Sequence, residues 1–385
     1  MSENKHNTPD LPEFLNAEPD DMGAGLINMD TGERISWGDL EQPDEIPAGM
    51  DAEDKDLRLI MEETDPQQKM MYAKLRQLQS LNLHSKITLA KQRIAQFFEK
   101  MEGRVVVSFS GGADSTVLLH LARQVSRDIP AVFVNTGLEY PEIVRFVRQT
   151  ENVEIIKPTM AFRQVLENYG YPVISKEVSG AINEIRTTKS ERLRNLRLHG
   201  SERGNAGKLS DKYKYLLNAP FKISDKCCYI LKKQPLQKYC KDNNLYSIVG
   251  VMAEESRRRL MSYMRYGCNA FGMVSPQSRP LMAWNKQDIL HYLQEFKIPY
   301  CKDISGDMIP GDLFDDGKVL MFSREQRTGC TYCMFGVHKE SYPNRFQRMQ
   351  RQNPKQYDFC INTLGLGKVL EYCHIPFKLK EEDDA

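Results

Sequence analysis

The fold of this chain is decided by residues 105–115, which read VVVSFSGGADS. The apolar residues 105–107 predict a buried strand, and residues 116–125 have the apolar spacing of a helix. Between them, Gly111 and Gly112 let the backbone approach an anion without a Cβ clash. The N–H groups at the start of the helix then point at that anion. The stretch therefore predicts a strand, a phosphate-binding loop and a helix, in that order.

The polar residues of this loop predict how it holds phosphate. Ser110 and Ser115 add hydroxyl donors, and Asp114 either orients the loop or holds a magnesium ion. The alternative is a tight turn in which Asp114 caps the helix. The loop is not of the Walker type, because no Gly-Lys-Ser/Thr follows at the required spacing. The predicted nucleotide-binding residues of this segment are Ser108, Ser110, Gly111, Gly112, Ala113, Asp114 and Ser115.

Strand and helix patterns alternate outward from this loop. Further strands are predicted at 131–134, 153–156 and 246–251, and further helices at 141–150, 161–168 and 285–296. This alternation predicts an α/β fold, a parallel sheet covered by helices on both faces. Helical spacing with a break near residues 82–84 precedes the sheet, and a loop-rich part with a cysteine pair follows it.

Charge and composition divide the chain into four predicted parts. Residues 1–60 hold 16 Asp/Glu and 4 Lys/Arg, so we interpret residues 1–62 as disordered or as docking on a partner. Residues 63–102 form a helical lead-in, and 103–300 form the nucleotide-binding domain with a basic insertion at 185–215. Residues 301–385 form the cysteine-containing C-terminal region.

Composition and hydropathy predict a cytoplasmic protein. Hydrophobic residues make up 41% and charged residues 27% of the chain, which is ordinary for a soluble globular protein. The sequence starts with no basic and apolar signal peptide. No apolar run reaches the roughly 18 residues that span a bilayer, so no membrane association is expected. The nine cysteines would then be reduced, and clustered ones predict metal or redox ligands.

Four segments together resemble one known family. Ser-Gly-Gly-x-Asp-Ser is the PP-loop of the N-type ATP pyrophosphatases, which cleave ATP between its α and β phosphates. Residues 135–142, NTGLEYPE, are similar to a block of the PAPS (phosphoadenylylsulfate) reductase family. Residues 250–259 and 279–284 resemble two further blocks of that family, although Met252 stands where the family has an arginine. The resemblance covers residues 88–340.

The resemblance implies a fold, an activity and a set of residues. It implies an adenine nucleotide alpha hydrolase-like sheet that binds ATP or an adenylate. Thr136, Gly137 and Glu139 would join the loop in binding the nucleotide. The catalytic residues carried over from the family blocks are Asp114, Ser115, Glu255 and Arg259, with Cys373 as a further candidate.

Four cysteines predict a metal centre. Cys227-Cys228 is followed much later by Cys330-Thr-Tyr-Cys333, and four thiolates are enough to hold a [4Fe–4S] cluster. The pattern matches the iron–sulfur adenylylsulfate reductases and is similar to DNA-phosphorothioation enzymes of the same superfamily. A structural zinc site needs the same four ligands and remains the alternative.

Cys373 marks a departure from the reductase pattern. The reductases use a C-terminal cysteine in a Glu-Cys-Gly-x-His setting, whereas this chain reads Glu-Tyr-Cys-His around Cys373. Activation by His374 or a lysine would make the thiol a nucleophile. The alternative is a cysteine buried at the end of a short helix.

The basic stretch predicts a nucleic-acid partner. Residues 185–215 hold nine Lys/Arg against three Asp/Glu, a density that neutralises DNA or RNA phosphates or simply forms a solvated surface.

Three functional hypotheses follow. The first is ATP-dependent sulfur transfer to, or modification of, a nucleic acid, with a sulfur-donor protein as partner. The intact PP-loop favours this hypothesis, since many reductases carry a degraded loop. The second is a reductase of adenylylsulfate or phosphoadenylylsulfate that uses a thiol-reductant protein. The third is a nucleotide-sensing subunit without turnover.

Overall fold

The computed structural model describes residues 26–27, 34–35, 66–201, 207–311, 319–326 and 328–380. The chain divides into two compact units, Met1–Thr64 and Asp65–Ala385. In the first unit, the strands β1 (Leu26–Ile27) and β2 (Arg34–Ile35) pair antiparallel. The rest of the acidic segment 1–62, predicted to be disordered or docked on a partner, lies outside the described residues.

A six-stranded sheet forms the centre of the second unit. Its strand order is β5-β4-β3-β6-β8-β7, and all neighbours are parallel except β7 and β8, which are antiparallel. The strands are β3 (Val105–Ser108), β4 (Ala131–Val134), β5 (Val153–Ile156), β6 (Tyr246–Val249), β7 (Asn269–Ala270) and β8 (Gln277–Ser278). A separate antiparallel pair consists of β9 (Met308–Pro310) and β10 (Leu320–Phe322). The predicted α/β fold with a parallel sheet is confirmed.

Helices surround this sheet along the chain. They are α1 (Pro66–Ser80), α2 (Leu83–Lys100), α3 (Ala113–Val125), α4 (Pro141–Gln149), α5 (Phe162–Tyr169), α6 (Lys176–Thr187), α7 (Glu191–His199), α8 (Gln234–Asp242), α9 (Arg257–Tyr266), α10 (Lys286–Glu295), α11 (Lys302–Ser305), α12 (Arg345–Gln352), α13 (Pro354–Asp358) and α14 (Leu366–Tyr372). Short 3₁₀ segments lie at Asp211–Asn218, Ala253–Glu255 and Val337–Lys339, and π turns at Tyr229–Lys233 and Phe359–Thr363. The predicted break between α1 and α2 is confirmed, because the Asn82 side chain accepts a 2.8 Å hydrogen bond from the Ser85 N–H and caps α2.

The valines of β3 show why both faces of the sheet are covered. Successive side chains of a strand point to opposite faces. Val105 and Val107 accordingly lie in the main core with α2, α3 and α10, whereas Val106 packs on the opposite side with Val132 and Cys240 of α8. The continuous apolar run in the sequence reflects this burial on two faces.

A second core joins the middle of the chain to its C-terminal region. It contains Val165, Ile182 and Leu216 together with Phe346 and Leu370. This core lies within the compact unit Asp65–Ala385, which includes the predicted C-terminal region 301–385.

Candidate nucleotide and cysteine site

The phosphate loop, residues 108–115, has the backbone that its glycines predict. Gly111 has φ +73°, and a Cβ on it would lie 2.9 Å from both Ile143 Cγ2 and Val147 Cγ2 of α4. Gly112 then caps α3, which begins at Ala113. A left-handed conformation and a close helix both require glycine at position 111. The loop thus presents the N-terminus of α3, which suits an anion.

The two serines of the loop have different roles. Ser115 is buried, donates to the Gly112 carbonyl at 2.9 Å, and accepts a 3.1 Å hydrogen bond from the Ser110 N–H. Ser110 is exposed, and its Oγ lies 3.0 Å from Ser115 Oγ. Ser115 therefore fixes the shape of the loop, and Ser110 is the hydroxyl that remains accessible at its surface.

The loop lies where the order of the sheet reverses. From β3, the strands β4 and β5 extend to one side, and β6 and β8 extend to the other. In open α/β sheets, ligands bind at the carboxyl ends of the strands at such a switch point. Gly250 follows β6 at this edge, and a Cβ on it would lie 3.1 Å from the Asp114 carbonyl oxygen.

The segment after β4 forms a second tight loop beside the first. The Glu139 carboxylate accepts 2.9 Å hydrogen bonds from the Thr136 N–H and hydroxyl, and both residues are buried. Gly137 lies between them with φ +77°. Lys232 Nζ lies 3.2 Å from Glu139 Oε1. Thr136, Gly137 and Glu139, which were predicted to bind the nucleotide, thus form a tight hydrogen-bonded loop in which the Glu139 carboxylate is already paired.

The four predicted cysteine ligands line one cavity. Its walls, called here the cysteine cavity, are formed by Leu138, Phe162, Pro172, Cys227, Cys228, Leu231, Lys232, Cys330, Tyr332 and Cys333. The N–H and hydroxyl of Thr331 both donate to the Leu138 carbonyl, at 2.9 and 3.1 Å. Thr328 Oγ1 would lie 2.7 Å from a Cβ on Gly112. Thr328 therefore contacts the phosphate loop, and Thr331, inside the Cys330–Cys333 pair, contacts the loop after β4.

The four cavity cysteines differ in the pKa of their thiols, and only that of Cys228 is lowered. A hydrogen bond from the Cys227 thiol, with the charges of Lys176 and Lys232, lowers the pKa of Cys228 to about 6. The same hydrogen bond raises the pKa of Cys227. Burial raises the pKa of Cys330 to about 11, and Lys232 acts in the opposite direction. Burial would lower the pKa of Lys232, but Cys330 and Glu139 outweigh it and raise that pKa.

The side chains of the described residues were compared with the arrangement that a single metal ion needs. Across residues 66–201, 207–311, 319–326 and 328–380, no group of three or more His, Cys, Asp and Glu side chains is arranged to hold a metal ion. The four cysteines surround the cavity instead.

The remaining predicted catalytic residues lie after β6. Glu255 accepts a 2.8 Å hydrogen bond from the Met252 N–H and forms an ion pair with Arg259. Met252 is buried, so the family's arginine is replaced here by a core side chain. Asp114 forms an ion pair with Lys286, with Nζ 3.4 Å from Oδ1.

Three polar residues of the site were not among those predicted from the sequence. Lys286 contacts Asp114, Thr328 lies against Gly112, and Lys176 lies near Cys228. Lys286 follows Trp284 by two residues, so the resemblance at 279–284 was a signal for it. Thr328 and Lys176 carried no comparable signal.

Cys373 is buried, as the alternative interpretation of the sequence expected. It is 5% exposed in the second core, and burial raises the pKa of its thiol to about 12. The neighbouring His374 ring packs on Tyr215. A thiol of this kind is protonated at neutral pH, which disfavours a nucleophilic role.

Most cations described in the basic stretch make internal contacts. The Arg186 guanidinium donates to the carbonyls of residues 216, 217, 219 and 221 at 2.7–3.2 Å. Arg194 pairs with Glu191, and Arg197 with Glu184. Lys208 and Lys214 pair with Asp211. Arg186 thus has a structural role, binding of nucleic acid by the rest of the stretch stays a prediction, and Arg203 lies outside the described residues.

Comparison with known proteins identifies the family. The phosphoadenosine phosphosulfate reductase domain matches residues 104–189 and 176–303, which is more than half of the chain. The chain belongs to this family. The phosphoadenosine phosphosulfate reductase family match includes β3 to β8 and the phosphate loop, and it ends before the Cys330–Cys333 pair.

Curated relatives share part of the chain. A phosphoadenosine 5'-phosphosulfate reductase of Vibrio cholerae is 24% identical over 226 residues, covering 58% of this chain and 72% of the relative. An uncharacterised protein of Methanocaldococcus jannaschii is 27% identical over 213 residues, covering 54% of this chain and 35% of the relative. This chain therefore spans only about a third of that archaeal relative's length. The solved structure of phosphoadenylyl-sulfate reductase from Candida auris aligns with TM-score 0.30 and 15% identity, over 58% of this chain and 91% of that one.

Within the part of the chain that the structure describes, no helix has the length and apolar character to cross a membrane.

Proposed function

We propose that this family member binds ATP at the phosphate loop and cleaves it between the α and β phosphates, giving AMP and pyrophosphate. The observation that carries this proposal is the complete loop. Its glycine at φ +73° and its buried Ser115 hold the N-terminus of α3 open at the switch point of the sheet. Backbone N–H groups at that helix start receive the phosphates, and the exposed Ser110 hydroxyl adds a donor. Mg²⁺ enters with the phosphates of the nucleotide.

The adenylate formed would activate an oxygen atom for replacement by sulfur. In this scheme the chain's residues bind the nucleotide, orient it and keep the AMP leaving group near the cysteine cavity. Thr328 and Thr331 support this scheme, because they hold the cysteine segment against the phosphate loop and Leu138. Positioning of this kind supplies a large part of the rate of such reactions.

A [4Fe–4S] cluster is proposed as the occupant of the cysteine cavity, held by Cys227, Cys228, Cys330 and Cys333. The donor set fits, since four cysteines line one space beside Lys176 and Lys232, whose charges favour the thiolate of Cys228. Zinc would need four sulfurs around one ion at about 2.3 Å. Zinc held by the same four cysteines is therefore the alternative occupant. When bound, the cluster supplies electrons or a binding point for sulfur.

The acceptor is proposed to be anionic, with nucleic acid as the first candidate. Lys233 has a pKa lowered by burial and by the charges of Lys176, Arg258 and Arg259, which shows that these cations are grouped. Arg258 keeps 63% of its side chain exposed. Such a group attracts phosphates. DNA or RNA would therefore meet the protein at this group as well as along the basic stretch.

A second candidate is a thiol-dependent reductase of adenylylsulfate or phosphoadenylylsulfate. The Vibrio cholerae relative carries that name, and residues 135–142 resemble the same family. The buried Cys373 argues against it, because the reductases need an accessible nucleophilic thiol. A thiol-reductant protein would be the partner in this case, and a sulfur-donor protein in the first.

One paired assay on anaerobically purified protein separates these functions. Pyrophosphate release from ATP is measured with and without DNA or RNA, and sulfite release is measured from adenylylsulfate and phosphoadenylylsulfate with a thiol donor. We expect pyrophosphate and no sulfite. Sulfite without pyrophosphate would establish the reductase instead. Silence in both assays, with ATP still bound, would favour a nucleotide-sensing subunit.

A further inference from the structure

Lys286 lies at the mouth of the phosphate loop. Its Nζ is 3.4 Å from Oδ1 of Asp114, the second residue of α3. Asp114 is therefore on the helical turn whose N–H groups face the anion. Because lysine has a long flexible side chain, an ammonium beside Asp114 can also reach a phosphate group at the loop.

The backbone of Lys286 is fixed although its ammonium is not. Lys286 is the first residue of α10, and its N–H donates to Glu254 Oε1 at 2.8 Å. Nζ also lies 5.4 Å from the centre of the Phe322 ring. The side chains of Lys286 and Asp114 remain 35% and 31% exposed. An exposed ion pair of this kind is weak, so a ligand of higher charge can displace it.

Two carboxylates near the loop make the Lys286 ammonium necessary for the binding of a highly charged anion. Asp114 and Glu254 interact with one another electrostatically, and Lys286 contacts both, through its ammonium and its N–H. Without the ammonium, these acids would repel the outer phosphates of a nucleotide. A single α phosphate bound at the helix N-terminus depends less on Lys286.

We propose that Lys286 is a specificity-determining residue that recognises the β and γ phosphates of ATP. The ammonium leaves Asp114 when ATP binds and forms charge-assisted hydrogen bonds with the outer phosphates. AMP offers no such group and leaves the Lys286–Asp114 pair in place. This inference rests on the proposed function, since it assigns ATP as the substrate of that same site.

The test is calorimetric titration of the anaerobically purified full chain with Mg-ATP and with AMP. Lys286→Met is expected to weaken ATP binding by about tenfold or more and AMP binding by less than about twofold. Lys286→Arg is expected to restore most of the ATP affinity. The matched control is Lys302→Met, because Lys302 is also the first residue of its helix and pairs with Asp307 at 3.2 Å. It should leave both affinities unchanged.

The outcomes separate this inference from the proposed function. If the wild-type protein binds AMP but not ATP, both fail together. If it binds ATP and Lys286→Met weakens ATP and AMP equally, or neither, the inference alone is overturned. Thermal unfolding of each variant checks folding, and a folded variant with a selective loss of ATP supports the inference.

Discussion

The phosphate loop and the cysteine cavity are built differently. The loop is one continuous segment whose hydrogen bonds join Ser110, Gly112 and Ser115. The cavity is assembled from several segments far apart in the chain, with its cysteines on two of them, and is tied to the loop after β4 through Thr331 and Lys232. A local structure tolerates loss of distant contacts, whereas an assembled one depends on every segment. Changes in the two regions should therefore have separable effects.

The largest effect is expected from Gly111→Ala in the phosphate loop. The new Cβ would lie 2.9 Å from Ile143 and Val147 and would also require φ +73°. We expect a loss of about 3 kcal/mol or more in the free energy of unfolding, with ATP binding abolished. Urea unfolding and nucleotide titration measure these two quantities.

Gly137→Ala is the matched control for this change. Gly137 has φ +77°, but a Cβ on it would meet nothing within 4 Å. The free energy of unfolding of Gly137→Ala should therefore fall by only about 1–2 kcal/mol, the cost of a left-handed conformation. An equal loss of unfolding free energy in both variants would show that the contact of residue 111 with α4 does not affect stability.

Cys330→Ser should change the cysteine cavity and leave the phosphate loop intact. We expect anaerobically purified wild-type protein to be brown and to contain iron, and the variant to lose that iron because one of four ligands is missing. ATP affinity should change less than about threefold, since the hydrogen bonds of the phosphate loop are local. Metal analysis and titration provide the measurements.

Cys240→Ser serves as the control for the cysteine cavity. Cys240 lies in a core on the opposite face of the sheet from α3. Its variant should keep the full iron content. Zinc in a colourless wild-type preparation would contradict the cluster.

Arg186→Gln should destabilise the assembled region without changing nucleotide binding. The guanidinium donates to four backbone carbonyls of residues 216–221, and glutamine cannot reproduce this fork. We expect a loss of about 2–3 kcal/mol in the free energy of unfolding. The exposed Arg192 of α7 is the control, and Arg192→Gln should change stability by less than about 0.5 kcal/mol. If both variants change stability by a similarly small amount, the basic stretch is a solvated or nucleic-acid-binding surface instead.

The smallest effect is expected from Thr331→Val. The substitution removes the 3.1 Å hydrogen bond from the hydroxyl to the Leu138 carbonyl but keeps the 2.9 Å bond from the N–H. The free energy of unfolding should fall by about 1 kcal/mol. Differential scanning calorimetry measures the shift, and an unchanged transition would show that the hydroxyl does not anchor the cysteine segment.

The same contrast explains how much could be predicted from the sequence. The strands β3 to β6 and the phosphate loop follow from apolar runs and glycines that are contiguous in the chain. The strands β7 and β8 have two residues each, which is too short for any periodicity to indicate them. The charge of the basic stretch gave no indication that Arg186 donates to backbone carbonyls.

The candidate site was predictable where its chemistry is local. Four cysteines in two pairs indicated a metal centre, and the structure brings them to one cavity. Lys286 and Thr328 were missed because their contacts with Asp114 and Gly112 join residues distant in sequence. Cys373 left two readings open, and only its burial favours one of them.

Cleavage of ATP between the α and β phosphates is the reaction proposed for this chain. Phosphorus NMR of ATP incubated with the anaerobically purified protein, its acceptor nucleic acid and a sulfide donor tests it most directly. We expect AMP and pyrophosphate in equal amounts, with no signal from ADP. ADP with inorganic phosphate, or ATP that stays unchanged, would be evidence against this cleavage.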